Sequence, residues 1–468
     1  MSWTRGAMLA GVLLAESAAA SSFPSLSVPN STAPPSLDLK TDVSAWVNMP
    51  AVRMTWDVQR ARPVKQIATV HAASDGSNLL LRFDVPQREA IVQTQRTNDV
   101  GQGTDDSVWV DIWPTGPIGY QYQFAATPNG THFQSSTENA IYAPHWDSYG
   151  ATHASGYTVT MRIPLRVMRG AEGSHAWNVQ FVRYLRATGE EAVWSYDNAQ
   201  TNPDDPARAG SVRIAAASVP RLTPRAATYV LGEAASRSVG GSTSRIGADF
   251  SYPITPTTSF FATLHPDYSN VELDQQTISP TVYPRAYAEV RPFFTQGANN
   301  FNQYYCNFCN GFTPLYTPAI PTPASGYALE GKSGTLSYTA FDAVGDQRND
   351  LASGLVFTSA DQRWTASVND VGVNTPALHD YETVIGALYN DLKHVNIYAN
   401  YGTDAGTDVV QSDRALYYDT GATWASQNFA VWGGVHRIGA SFNPVDSYIL
   451  QSDVSGWGLF ANKIWTPA

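Results

Sequence analysis

The chain has 468 residues, more than one ordinary domain needs, and its 43% hydrophobic share is ample for a folded core. A net charge of −11 with only 15% charged residues excludes a nucleic-acid surface, because there is no basic surplus to displace phosphate counterions. Aromatics at 12%, together with 35 Gly and 29 Pro, favour β structure rich in turns.

Arg5 precedes an apolar run from Ala7 to Ala15, and Ala18-Ala19-Ala20 offers a small-residue cleavage site. Residues 1–20 therefore read as a secretory signal peptide, with the mature chain starting near Ser21 and lying outside the cytoplasm. No later stretch approaches the ~20 apolar residues of a membrane helix. Residues 21–37 are rich in Ser and Pro and read as an extended tether.

From residue 38 to 215 short apolar runs alternate with turn signals. Ile67–His71 and Leu79–Val85 flank Ser74-Asp75-Gly76-Ser77 as a hairpin. Strands follow at Asp105–Trp113, Tyr120–Ala125, Tyr157–Ile163, Trp177–Leu185 and Ala192–Ser195, with a single helical turn at Leu165–Arg169. This spacing predicts a β-sandwich.

In Asp105–Trp113 the two-residue period sends Val108, Val110 and Ile112 to the core and Asp105, Ser107, Trp109, Asp111 and Trp113 to the opposite face. Two indoles and two carboxylates on one face suit a sugar, whose C–H faces stack on aromatics while its hydroxyls donate to carboxylates. The same rings could equally cover the second side of the sandwich. Tyr142 and Trp146 fall in a loop and divide in the same way between sugar contact and packing.

The order Asp42-x-x-x-Trp46, Asp105-Asp106-x-Val108-x-Val110-x-Ile112, Tyr122-x-Phe124-x-x-x-Pro128-x-Gly130, His145-Trp146-Asp147 and Tyr157-x-Val159-x-x-x-Ile163-Pro164 resembles a family 9 carbohydrate-binding module. The resemblance implies a sandwich that holds sugars against a tryptophan, with Trp109, Trp113 and Trp146 as candidates, and often a structural calcium. Asp105 and Asp106 could supply two of its oxygen ligands.

A small-residue and Pro stretch, Ala215–Thr223, marks a boundary, and residues 224–468 alternate differently. Val395, Ile397, Ala399 and Tyr401 oppose His394, Asn396, Tyr398 and Asn400, and Trp364, Ala366 and Val368 oppose Thr365, Ser367 and Asn369. Apolar rows against small polar rows, with aromatics near strand ends, predict an antiparallel β-barrel of outer-membrane type. A soluble sheet with one wet face has the same period. The sequence closes on Ile464-Trp465-Thr466-Pro467-Ala468 rather than on an aromatic, so the expectation is either of a fragment or of a smaller or incomplete barrel.

Within this half, residues 265–301 read as an ordered insertion, because so many aromatics and fixed-φ prolines would be wasted on a disordered tether. Pro266-Asp267-Tyr268-x-x-Val271-Glu272-x-Asp274 and Glu289-x-Arg291-Pro292-Phe293-Phe294-x-x-Gly297 resemble a bacterial family of unknown function, in which a carbohydrate-binding-module-like domain precedes an outer-membrane barrel. His265, Asp267, Glu272 and Asp274 could serve a glycosidase as paired carboxylates, or could cap turns and pair with Arg285 or Arg291. Cys306 and Cys309 read as a local disulfide, since no second cysteine pair exists to complete a metal site. There is no Gly-x-Ser-x-Gly, His-Glu-x-x-His or phosphate loop.

Three functions follow as expectations. The first is carbohydrate capture, of polysaccharide or oligosaccharide, by a protein anchored in outer-membrane lipid and exposed at the surface of a Gram-negative-type cell. The others are a glycan-processing enzyme that hydrolyses O-glycosyl bonds, and a pore or export component capped by a structural sandwich.

Overall fold

The computed structural model describes residues 23–38, 44–99, 103–139, 141–173, 176–197, 202–215, 222–233, 243–266, 291–295 and 311–463, with 101, 286, 288, 289, 298 and 301 and without 408, 410 and 427. The protein is all-β and is built from two sheets of 12 strands each.

The first sheet contains β1 (Ser25–Val28), β2 (Ala51–Asp57), β3 (Arg62–Ser74), β4 (Asn78–Pro86), β5 (Ser107–Trp113) and β6 (Tyr122–Ala126). It continues with β7 (His132–Ser136), β8 (Asp147–His153), β9 (Gly156–Pro164), β10 (Ala176–Leu185), β11 (Glu190–Val193) and β12 (Gly210–Ile214). Its order, β7-β6-β5-β10-β11-β2-β3-β4-β9-β8, folds back so that two layers face each other. Alternate residues of β4 and β9 (Leu81, Phe83, Val159, Met161) meet those of β5, β6 and β10 (Val110, Ile112, Phe124, Phe181) in one apolar core. Phe83 and Phe181 touch edge to face across it, with centroids 6.1 Å apart.

The Ser/Pro-rich stretch is not wholly a tether. Ser25–Val28 pairs in parallel with β12, and Leu26 and Val28 are buried, because their period of two supplies an apolar row to the sandwich.

The second sheet is an antiparallel meander: β13 (Arg225–Glu233), β14 (Thr243–Thr255), β15 (Thr258–Leu264), β16 (Ser325–Ser333), β17 (Leu336–Val344) and β18 (Asn349–Thr358), then β19 (Trp364–Asn374), β20 (His379–Asn390), β21 (Val395–Gly406), β22 (Leu416–Ala425), β23 (Phe429–Ile438) and β24 (Val454–Lys463). The strands pair in sequence order, and among the described residues β13 and β24 remain as its two edges. It is a barrel-like sheet left open along one seam. No helix is long and apolar enough to cross a membrane among the described residues.

Candidate functional site

The outer face of β5 is covered, and this changes what its residues can do. Asp204 lies over it and meets the indole of Trp109, whose Nε1 donates to Asp111 at 3.0 Å and to Asp204 at 3.2 Å. Gln121 and Gln123 donate to the other Asp111 oxygen at 3.0 and 2.9 Å. Burial, and then the Asp204 carboxylate, push the Asp111 carboxyl well above its ordinary range.

Trp109, Trp113 and Asp111 are thus interior groups, buried among the described residues. Trp146 is buried too, its Nε1 donating to Gln134 at 2.8 Å and its ring lying 4.4 Å from that of His132. Tyr142 is half-buried and donates to the carbonyl of Val167 at 2.8 Å. Strand alternation separates these faces correctly, but it is silent on the distant loop that covers one of them.

Asp105 and Asp106 lie side by side and do not fit a calcium ion as they stand. Asp105 accepts from Thr94 Oγ1 at 2.6 Å and from the Gln95 amide at 2.8 Å. Asp106 accepts from the amides of Val92 and Arg186 and from Gln87 Nε2, each at 2.8 Å. All four oxygens are engaged by protein donors, so the pair pins residues 87–95 to the sheet. Among the described residues no three His, Cys, Asp or Glu side chains gather as metal ligands.

A partly exposed aromatic patch lies beside the covered face, and the sequence did not single it out. The rings of Trp56 and Tyr196 stack in parallel, 4.7 Å apart with 2° between their planes, and Phe133 and Tyr184 pack on the same cluster. All four are half-buried. Trp56 Nε1 is a buried donor without a partner among the described residues. Gln59 Nε2 donates to Glu191 at 2.6 Å nearby, and burial raises the Glu190 and Glu191 carboxyls. Aromatic platforms flanked by an amide and carboxylates are the groups a pyranose requires. The available signal was Trp56 on a strand next to buried Asp57, with Tyr196 two residues past Trp194.

In the second sheet the two faces have opposite chemistry. Along β20, Tyr381, Thr383 and Ile385 are exposed, while Asp380, Glu382 and Val384 are buried. Along β21, Ile397, Ala399 and Tyr401 are exposed, while Tyr398, Asn400 and Asp404 are buried. Register sets Asn400 opposite Asp419, and Asp419 opposite His436, on the inner face.

The segment joining β23 to β24 closes over this inner wall. The amides of Asn443 and Val445 donate to Asp404 at 2.9 Å and Asp380 at 2.7 Å, and Ser447 donates to Glu382. Arg348 bridges Asp350 and Asp446, at 2.7 Å to each. Phe442 and Phe312 pack on Tyr417 beneath it.

The stretch singled out between β15 and β16 contributes from the other side. Buried Arg291 pairs with Glu289 at 2.7 Å, donates to the carbonyl of Ile320 at 2.8 Å and to that of Thr317, and lies 4.3 Å over the Phe294 ring. Phe293, Phe294 and Phe301 pack around Phe341. His265 meets the carbonyl of Ile246 through Nδ1 at 3.1 Å. Asp267, Glu272, Asp274, Arg285, Cys306 and Cys309 lie outside the described residues.

Residues 221–308 match the model of a family described as a domain of unknown function, DUF5916. The chain matches none of the curated proteins. Among solved structures it is similar to a Bacteroides uniformis protein provisionally assigned carbohydrate binding, at 18% identity and TM-score 0.34, over 41% of this chain and 100% of that one. It is also similar to a mutant of the Rh. blastica porin, at 10% identity and TM-score 0.24, over 88% of this chain and 97% of that one. An anion-selective porin from Comamonas acidovorans shows 9% identity and TM-score 0.24 over 88% and 97% of the two chains.

Proposed function

We propose that this chain is an outer-membrane β-barrel protein whose N-terminal sandwich binds carbohydrate. The observation that carries the reading is the outward face of the second sheet, where Leu329, Leu355, Ile385, Ile397, Tyr401 and Leu459 are exposed. Soluble sheets turn their apolar row inward, and a monomer in water rarely leaves a contiguous apolar patch larger than a few hundred Å². Here the apolar row faces out and the carboxylates face in, as a lipid solvent requires. Aromatics gather near one end of the belt, with Trp364 against Tyr389 at 4.8 Å and Trp424 against Phe429 at 6.0 Å. That is where an interfacial girdle would lie.

The carbohydrate half is supported by the resemblance of residues 38–215 to family 9 modules and by the Trp56–Tyr196 patch. Trp109 and Trp146 then brace the site from within. Membrane fractionation followed by affinity electrophoresis through gels containing a panel of soluble polysaccharides tests both halves. The protein should stay in the membrane pellet after a carbonate wash, and one or more polysaccharides should retard it. Trp56→Ala and Tyr196→Ala should each weaken that retention about fivefold, a stacking contribution near 1 kcal/mol. Solubility without detergent would remove the anchor. Unretarded migration in every gel would remove the carbohydrate half alone.

A further inference from the structure

The two ends of the second sheet differ. At one end the strands are joined by turns 256–257, 334–335, 359–363, 391–394 and 426–428. At the other the connections are 234–242, 265–324, 345–348, 375–378, 407–415 and 439–453. Outer-membrane barrels keep short turns on the periplasmic side and long loops outside. Lys463 of β24 pairs with Phe429, just after turn 426–428, and Arg225 of β13 pairs with Ser251, toward turn 256–257. The sheet therefore both starts and finishes at the short-turn end.

The sandwich meets the sheet at that same end. Tyr120 donates its hydroxyl to Glu330 at 2.6 Å, and the Arg169 guanidinium pairs with the same carboxylate. Lys332 donates to the carbonyls of Ile118 and Gly119 at 3.1 and 3.3 Å, its ammonium 4.8 Å over the Tyr120 ring. Arg208 donates to the carbonyl of Leu392, within turn 391–394. Glu330 belongs to the inward row of β16 with Gly326 and Ala328, alternating with exposed Tyr327 and Leu329. Tyr120 and Glu330 are both buried. A buried carboxylate is costly once its cation is withdrawn, so this contact resists separation.

We propose that the sandwich is a periplasmic cap seated in the short-turn mouth of the sheet and latched there by Tyr120 and Arg169 on Glu330. This rests on the outer-membrane reading above. It places the aromatic patch among glycans on the periplasmic side rather than among polymers at the cell surface.

The test uses the full chain in a Gram-negative host, in a Cys306→Ser, Cys309→Ser background, and begins with fractionation. Absence from the outer membrane overturns the anchor, and the cap with it. For protein that is in the outer membrane, Ala154→Cys in the sandwich and Ala377→Cys in connection 375–378 are exposed to a membrane-impermeant maleimide. Ala377→Cys should react in intact cells and Ala154→Cys only after the outer membrane is opened. Reaction of Ala154→Cys in intact cells overturns the orientation while leaving the anchor standing.

The latch is tested with Thr339→Cys, an inner-face position opposite Glu330. In lipid vesicles its maleimide reaction should quicken about tenfold or more when Glu330→Gln is added, because the buried pair is lost. Arg169→Ala should do the same from the sandwich side without touching the barrel. An unchanged rate in both variants overturns the cap.

Discussion

The two sheets share the period of two and use it in opposite ways. Every residue of β5 is buried, with Val108, Val110 and Ile112 in the main core and Trp109 in a second cluster with Val182 and Val193. In β20 only Asp380, Glu382 and Val384 are fully buried, while Tyr381 and Ile385 are exposed. Apolar side chains hold the sandwich together by leaving water. In the second sheet the interior combines the Phe341 and Tyr417 clusters with carboxylates that receive amides, a hydroxyl and a guanidinium. Alternation therefore reports that a strand has two environments, and only the identity of the buried row says which solvent lies outside.

The sharpest way to break the comparison is to damage each sheet where its own solvent logic is strongest. Phe83→Ala should destabilise the sandwich by about 3–5 kcal/mol, since it empties a site wholly inside the core. Ile385→Arg, outward and flanked by Val368 and Tyr401, should cost about 2–4 kcal/mol in lipid. In the same detergent-free vesicles Ile385→Val should be nearly silent. Urea titration followed by heat-modified gel mobility measures both, and a silent Ile385→Arg would show that the face does not meet hydrocarbon.

Much of this was legible from the residues. Val108, Val110 and Ile112 announce a core row, and Ile397, Ala399 and Tyr401 against Asn396, Tyr398 and Asn400 announce the other kind of sheet. The rest depends on contacts distant in sequence. That Trp109 and Asp111 are covered depends on Asp204, 95 positions away, and that Tyr120 reaches Glu330 spans 210 positions. No periodicity within β5 or within segment 114–121 encodes either contact. The closing of 439–453 over Asp380 and Asp404 is equally invisible, because its donors are mostly backbone amides that any sequence would supply.

Asp111 sharpens the contrast within the sandwich itself. Its folded pKa is raised by burial and by Asp204, so the stability it contributes is present below its unfolded pKa and is lost as pH rises through the folded value. Thermal melts should therefore show wild type losing stability from acid toward neutral pH relative to Asp111→Asn, by about 1 kcal/mol, since burial and the Asp204 carboxylate keep one charge from forming. Parallel pH profiles for the two proteins would mean that Asp111 is ionised in the folded sandwich.

The smallest effect concerns Asp105 and Asp106. With Thr94, Gln95, Gln87, Val92 and Arg186 donating to their four oxygens, a cation would have to displace neutral donors already in place. A ligand stabilises only when it binds the folded state more tightly than the unfolded one, and here each carboxylate oxygen already accepts a protein donor. Adding chelator and then excess calcium should leave the melting temperature of the full chain unchanged. Asp106→Asn, by contrast, should lower it, since an amide nitrogen would then face a backbone N–H and a buried bond worth about 1–3 kcal/mol would be lost. A calcium-dependent rise abolished by Asp106→Asn would reverse this assignment and turn the pair from a loop clamp into a metal site.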